Sequence, residues 1–429
     1  MSLLIKNGRV IDPGTGRDGE YDILIEEGRI VKVDKNIEEE TDEVLDAEGC
    51  YVMPGLIDLH VHLRDPGFTY KETVESGAMA AARGGITTVV AMPNTKPVTD
   101  EKTRVAYVHH KAEMMAPIHV LQAGAITKGQ AGKELADIEG MVAAGAPAIS
   151  EDGKSVMDSG LYRQAMRKAA KLGIPVLAHC EDINMVEGGV VNEDENTKAL
   201  GLKGISNAVE DVIAARDIML AKETGARLHL CHCSTAGSVE MVRKAKAEGV
   251  AVTAEVCPHH FILSTEDIKK ADANYKMNPP LRTRQDVDAL VQGLKDDIMD
   301  VISTDHAPHS VEEKSLPIDK APFGIVGLET SVALTMTELV HKGILTPMQM
   351  AEKMSANPAK VLGIDRGTLE EGKEADVTVI DPNAEFTICA EEFASKGRNT
   401  PFEGREVKGR VMATICGGRI VYRYTDEMR

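Results

Sequence analysis

Histidines and carboxylates recur in this chain at one kind of place, the end of an apolar, β-branched run. His60-Val61-His62 lies near the end of the run 51–63, Asp152 ends the run 146–152, and His179, His232 and Asp305 sit late in the runs 174–181, 227–234 and 299–309. Two imidazoles separated by one residue project from the same face of a strand, so His60 and His62 can grip one ion together. Four histidines and two carboxylates are more donors than a single catalytic zinc takes if it keeps a position open for water, but they suit two ions sharing a bridging carboxylate. Such a pair acidifies water and polarises a carbonyl, the chemistry of metal-assisted hydrolysis. A lone strand-end histidine reads as core; six ligand types converging on one rim do not. His119 and His229, inside their runs, read as hydrogen-bonded core residues, and His259 and His260 stay open between core and ligand. Cys180, Cys231 and Cys233 flank two of the histidines but lack the paired CxxC spacing of structural zinc sites, so packing is the reading for them.

The elements that must carry these residues alternate. Eight apolar runs (51–63, 86–94, 117–127, 146–152, 174–181, 227–234, 250–260 and 299–309) are mostly followed by Ala- and Glu-rich helical stretches, the pattern of a parallel sheet. Eight such units predict an α/β fold, a closed (βα)8 TIM-like barrel, whose functional face is the C-terminal end of the strands. An open doubly wound sheet is the alternative, but no GxGxxG or P-loop opens a nucleotide site in it. Both ends of the chain read as short strands separated by Gly and Asp. They predict a small β domain from residues 1–52, a meander, and 367–429, around a barrel domain over 53–366.

The chain has 429 residues, with Lys+Arg 49 against Asp+Glu 68 and a net charge of −19, which disfavours binding to nucleic acid or anionic membranes. No apolar run is long enough to span a bilayer and the N-terminus lacks a signal-peptide pattern, so the expectation is a cytoplasmic protein. Seven scattered cysteines read as reduced thiols.

The segments GLIDLHVHLRDPG (55–67), AMPNTKP (91–97), EDGK (151–154), AHCED (178–182), HLCHCS (229–234), MNPPLR (277–282) and STDHAPH (303–309) resemble, nearly end to end, the amidohydrolase superfamily and within it the dihydroorotases of the zinc-dependent bacterial type. The resemblance implies two Zn2+ per subunit held by His60, His62, Asp152, His179, His232 and Asp305. Asp152 would bridge them where many relatives use a carboxylated lysine, leaving Lys154 at the surface or behind the ligands. If one position fills, His60, His62 and Asp305 hold that ion, with His179 and His232 serving the second. The implied reaction is the reversible cyclisation of N-carbamoyl-L-aspartate to dihydroorotate in pyrimidine synthesis. A bridging hydroxide would attack the ring carbonyl in the hydrolytic direction, and Asp305 would act as base and then acid. Arg64 supplies a planar fork for the substrate carboxylate; Asn94, Asn278, His309 and the backbone near Pro322, Phe323 and Gly324 are the family's other substrate contacts. The polar loop 310–324 reads as a lid or a solvated connection. The family further implies a homodimer or a complex with aspartate transcarbamoylase. Hydantoinases and allantoinases are the sibling activities, and a non-catalytic assembly subunit is disfavoured because every matched ligand position is filled.

Overall fold

The computed structural model describes residues 2–425. Its centre is the expected barrel. Eight parallel strands run Leu56–Val61, Ile86–Ala91, His119–Gln122 continued by Gly124–Ala125, Ile149–Ser150, Val176–Ala178, Leu228–Leu230, Val252–Val256 and Val301–Ile302, each paired in parallel with the next. Ring closure, the point that separates a barrel from an open sheet, is made between the last strand and the first. The His62 amide donates to the His306 carbonyl at 2.8 Å. The buried Asp58 carboxylate accepts from Thr304 N at 3.2 Å and from His60 N at 3.0 Å.

Inward-facing side chains fill the barrel as a packed core, among them Ile57, Leu59, Val90, Met92, Leu177 and Val301, with Ala359, Val361 and Leu362 packed against them. Those last three end a helical run over Pro347–Leu362 that the strand-and-helix alternation does not predict. Its turns widen over Glu352–Ala356 and a proline follows at position 358, so its apolar spacing drifts off the 3.6-residue period. The helix Ser159–Leu172 shows how the outer ring forms. Asp158 caps its first turn, Gly173 ends it at φ +70°, and Tyr162, Ala165, Met166 and Ala169 form the buried stripe, a spacing that puts all of them on the barrel side.

The run 51–63 is two strands, not one. It breaks at Gly55, whose N–H donates to the Asp376 carbonyl at 2.8 Å and where a Cβ would lie 2.2 Å from the Thr87 hydroxyl. Before the break, Tyr51–Pro54 belongs to a second sheet. There Ser2–Asp12 pairs antiparallel with Arg17–Glu26, which pairs with Arg29–Asp34. The expected N-terminal meander stops at that point, because Glu43–Asp46 and Tyr51–Pro54 return to pair parallel with the first strand. Tyr51–Pro54 also pairs antiparallel with Val377–Ile380, and Val377–Thr387, Glu406–Cys416 and Arg419–Arg423 complete the sheet. Leu3, Ile5, Ile23, Ile25, Val377, Val379 and Ile415 are in its core. All seven cysteines are free thiols, and only Cys389 is less than buried.

Candidate metal centre

The strand ends deliver their side chains to one point. His60 is the last residue but one of the first strand and His62 follows its end; Asp152, His179, His232 and Asp305 lie one to three residues beyond the fourth, fifth, sixth and eighth. Arg64, His232 and Asp305 sit at positive φ, +59°, +35° and +49°, a conformation that non-glycine residues hold only when surroundings enforce it. His60 Nε2 lies 3.1 Å from Asp152 Oδ1 and 3.6 Å from Asp305 Oδ1. His62 Nε2 lies 3.1 Å from Asp305 Oδ1 and 3.5 Å from Asp152 Oδ2. On the other side of Asp152, His179 Nδ1 and His232 Nε2 are 2.9 Å apart and lie 3.5 and 3.7 Å from Asp152 Oδ1.

These separations fit two cations. Metal bonds of about 2.0–2.1 Å place tetrahedral ligands about 3.3–3.4 Å from one another. The tautomers agree. His60 Nδ1 faces Glu255 Oε1 at 3.2 Å, so its proton sits there, and its bare Nε2 confronts a carboxylate oxygen across 3.1 Å. Among the described residues neither His60 Nε2 nor Asp152 Oδ1 finds a hydrogen-bond partner, though both are buried. Two facing acceptors need a cation between them. The field says the same. Burial works against the charged form of His179, but hydrogen bonds and charges from Asp152 and Glu181 push its pKa up to about 10. Asp305 is likewise opposed by burial and yet held down at about 2 by the imidazoles of His62, His60 and His232 around it.

Three partners behind the ligands escaped sequence reasoning. Glu255, fully buried in the seventh strand, accepts from His60 Nδ1, from His229 Nε2 at 3.1 Å and from His232 N at 3.2 Å. Glu181 accepts from His179 Nε2 at 2.9 Å. Arg282 is buried against Glu210 at 3.6 Å and donates to Ser234, Asn192 and Ile205, fastening the segment after the sixth strand. The signals were present: a carboxylate inside an apolar strand for Glu255, and two-residue spacing from His179 for Glu181. His229 and His119 sit outside the ligand set, His229 on Glu255 and Thr253, His119 between Glu374 and Asp376. His260 Nε2 donates to the Pro279 carbonyl at 2.9 Å, and the neighbouring His259 is buried.

Above the centre opens a cavity of about 160 Å3 lined by His62, Arg64, Asn94, Asp152, Gly153, His179, His232, Asn278, Asp305, Ala307, Phe323 and Gly324. His60 lies beneath it, fully buried. Arg64 Nε donates to the Pro308 carbonyl at 3.2 Å, and its Nη2 lies 3.2 Å from His309 Nε2. Asn94 is tied to the ligands themselves: its Oδ1 accepts from His62 Nδ1 at 2.9 Å and its amide donates to Asp152 Oδ2 at 3.2 Å. Asn278 is within hydrogen-bonding reach of Glu181. Gly324 is at φ +128°, and a Cβ there would lie 2.7 Å from that of Ala307.

A barrel of this topology with a histidine–carboxylate centre at its strand ends defines a metal-dependent amidohydrolase. A family profile described as dihydro-orotase-like matches residues 49–238, and one described as amidohydrolase family matches residues 329–422. The dihydroorotase of Pelotomaculum thermopropionicum is 52% identical over 98% of each chain, and that of Clostridioides difficile 51% identical over 98% of this chain and 99% of its own. Among solved structures, an L-hydantoinase (dihydropyrimidinase) from Arthrobacter aurescens superposes with a TM-score of 0.89 at 27% identity, covering 98% of this chain and 96% of that one. A dihydropyrimidinase from Brevibacillus agri gives 0.86 at 26% identity over 99% and 95%. The chain belongs to the dihydroorotase family.

Proposed function

We propose that the chain catalyses the reversible cyclisation of N-carbamoyl-L-aspartate to (S)-dihydroorotate and water in de novo pyrimidine synthesis, using two zinc ions bridged by Asp152. The observation that carries this reading is the position of Arg64, a shielded guanidinium at the edge of the cavity whose floor is the metal centre. A neutral cyclic amide would leave that charge without a partner, whereas a ring carboxylate pairs with it.

Zinc at the two positions would supply an acidified water and a Lewis acid for the carbonyl oxygen. The chain's residues do the rest. Arg64, with His309 and the backbone of Phe323 and Gly324 beside it, fixes the carboxylate, and Asn278, also in the cavity lining, contacts the substrate. Asp305 is ionised at neutral pH and uses Oδ1 toward His62 and His60. Its Oδ2 takes the proton of the attacking water and delivers it to the ring nitrogen as the amide opens; in ring closure the order reverses. His62 holds Asp305 in place, and Asn94 holds His62 and Asp152.

The test is turnover of L-dihydroorotate and N-carbamoyl-L-aspartate by the purified chain, with metal content measured alongside. Asp305→Asn is expected to lower kcat by about 10²–10⁴-fold with zinc retained. Cleavage of hydantoin with no turnover of either carboxylate compound would move the assignment to a neutral cyclic amide. The same reading takes the chain as a cytoplasmic homodimer able to associate with aspartate transcarbamoylase, which sedimentation of the chain alone and with that enzyme checks. Among the described residues, no helix is long and apolar enough to cross a membrane.

A further inference from the structure

A second cation stands beside the carboxylate site, outside the cavity lining. Lys71, in the loop after the first barrel strand, keeps 11% of its side chain exposed. Its Nζ lies 3.2 Å from His309 Nδ1 and 2.8 Å from Glu313 Oε1, and the Tyr70 hydroxyl donates to that same oxygen at 3.1 Å. Glu313 belongs to the short helix Val311–Lys314, which Ser310 caps, in the loop after the eighth strand.

An ammonium offers only N–H donors, so the ring nitrogen it faces must present a lone pair. His309 therefore carries its proton on Nε2, where it donates to the Phe323 carbonyl at 2.8 Å. Arg64 Nη2, 3.2 Å from Nε2, then meets an N–H rather than a lone pair, and its hydrogens stay available for an incoming anion. We propose that Lys71 is a positioning residue for the substrate carboxylate: it sets the tautomer of His309, which leaves the Arg64 fork free, and through Glu313 it ties the loop after strand eight beside the site. The inference rests on Arg64 being the carboxylate's partner.

The groups facing the His309 ring are Arg64, Lys71 and Lys314, which oppose a second proton, and Glu313, whose Oε2 lies 3.5 Å from Nδ1 and favours one. The His309 backbone amide is held by Asn399 Oδ1 at 3.1 Å. Burial and the three cations keep the ring neutral. Without Lys71, Nδ1 faces only the Glu313 carboxylate, which calls for the proton on Nδ1 and turns Nε2 into a lone-pair nitrogen that holds Arg64 Nη2.

The experiment compares wild type, Lys71→Met and Lys71→Arg as zinc-loaded enzymes. The ring 15N shifts of His309, assigned by their loss in His309→Gln, are followed from pH 6 to 8.5 without substrate, and kcat and KM for dihydroorotate are measured separately. The neutral Nε2–H form is expected throughout in wild type and in Lys71→Arg, whose guanidinium is again donor-only. Lys71→Met should show the ring shifting toward the neutral Nδ1–H form, whose Nε2 lone pair captures Arg64, and KM raised about ten-fold, with kcat within about three-fold. A His309 ring and KM unchanged in Lys71→Met, or an equal rise of KM in Lys71→Arg, would overturn the proposal. If the wild-type enzyme does not turn over dihydroorotate the substrate reading fails, while the substrate-free spectra still decide whether Lys71 sets the ring.

Discussion

Removing the carboxylate of Glu255 while keeping its bulk, in Glu255→Leu, separates ligand orientation from ligand identity. Glu255 is fully buried; its Oε1 serves His60 Nδ1 and His232 N, both at 3.2 Å, and its Oε2 serves His229 at 3.1 Å. Leucine leaves these donors unpaired and frees the His60 ring to turn or change tautomer. Partners behind a metal ligand are worth about 10–100-fold in metal affinity, which converts to about 1.4–2.7 kcal/mol. Each stranded donor adds about 1–3 kcal/mol of lost folding stability. Glu255→Gln should be far milder. Its carbonyl can keep the Oε1 contacts and its NH2 can face His229, which swaps tautomer because its Nδ1 partner, at 2.8 Å, is the Thr253 hydroxyl, able to donate or accept. The assay is zinc titration of the apoprotein against a chelator of known affinity, with urea unfolding as the control for folding. Zinc affinity within about two-fold of wild type in the leucine variant, or a glutamine variant as weak as the leucine one, would refute the reasoning.

Two further outcomes follow from the site and the core. Arg64→Gln should raise KM for dihydroorotate about 10–100-fold, the worth of a hydrogen bond to a charged group, and leave any slow cleavage of neutral hydantoin unchanged; an equal loss on both substrates would mean that Arg64 shapes the cavity rather than reading the carboxylate. Asp217 is pushed up to about 6, chiefly by burial, against the pull of Arg216, so between about pH 4 and 6 the unfolded chain is ionised where the folded one holds its proton, and stability falls as pH rises through that window. Urea unfolding of the apoproteins at pH 4.5 and 7 should show wild type losing about 2 kcal/mol more than Asp217→Asn over that interval; equal losses would count against a buried, protonated carboxyl.

The donors on the rim were legible because strand periodicity is short-ranged: His60 and His62 declare a shared face within three residues. The barrel was legible for the same reason, as repeated local alternation. What stayed hidden depends on pairing across the ring. Glu255 meets His60 from 195 residues away, and nothing near either residue names the other; only a carboxylate set in an apolar strand hinted at an obligation. The family resemblance marked Asn94 as a substrate contact, yet its amide also spans His62 and Asp152, which only the closed ring brings within reach. The break at Gly55 was invisible because the residues on both sides are apolar and β-prone, and what divides them is the Thr87 side chain of another strand. The helical run Pro347–Leu362 was missed because its widened turns spoil the period that announces a helix.

The strand Tyr51–Pro54 lies between two neighbours made at opposite ends of synthesis. Its partner in Ser2–Asp12 already exists when it leaves the ribosome, but its partner at Val377–Ile380 follows some 326 residues later, the difference between positions 377 and 51. At about 5–20 residues per second that delay is roughly 16–65 s. Throughout it, the open edge of the first half-sheet is a template for pairing with other chains. The sheet therefore closes last, as a seal over a barrel that has had time to form, and a nascent chain stalled before residue 377 would carry an aggregation-prone edge that the finished protein covers.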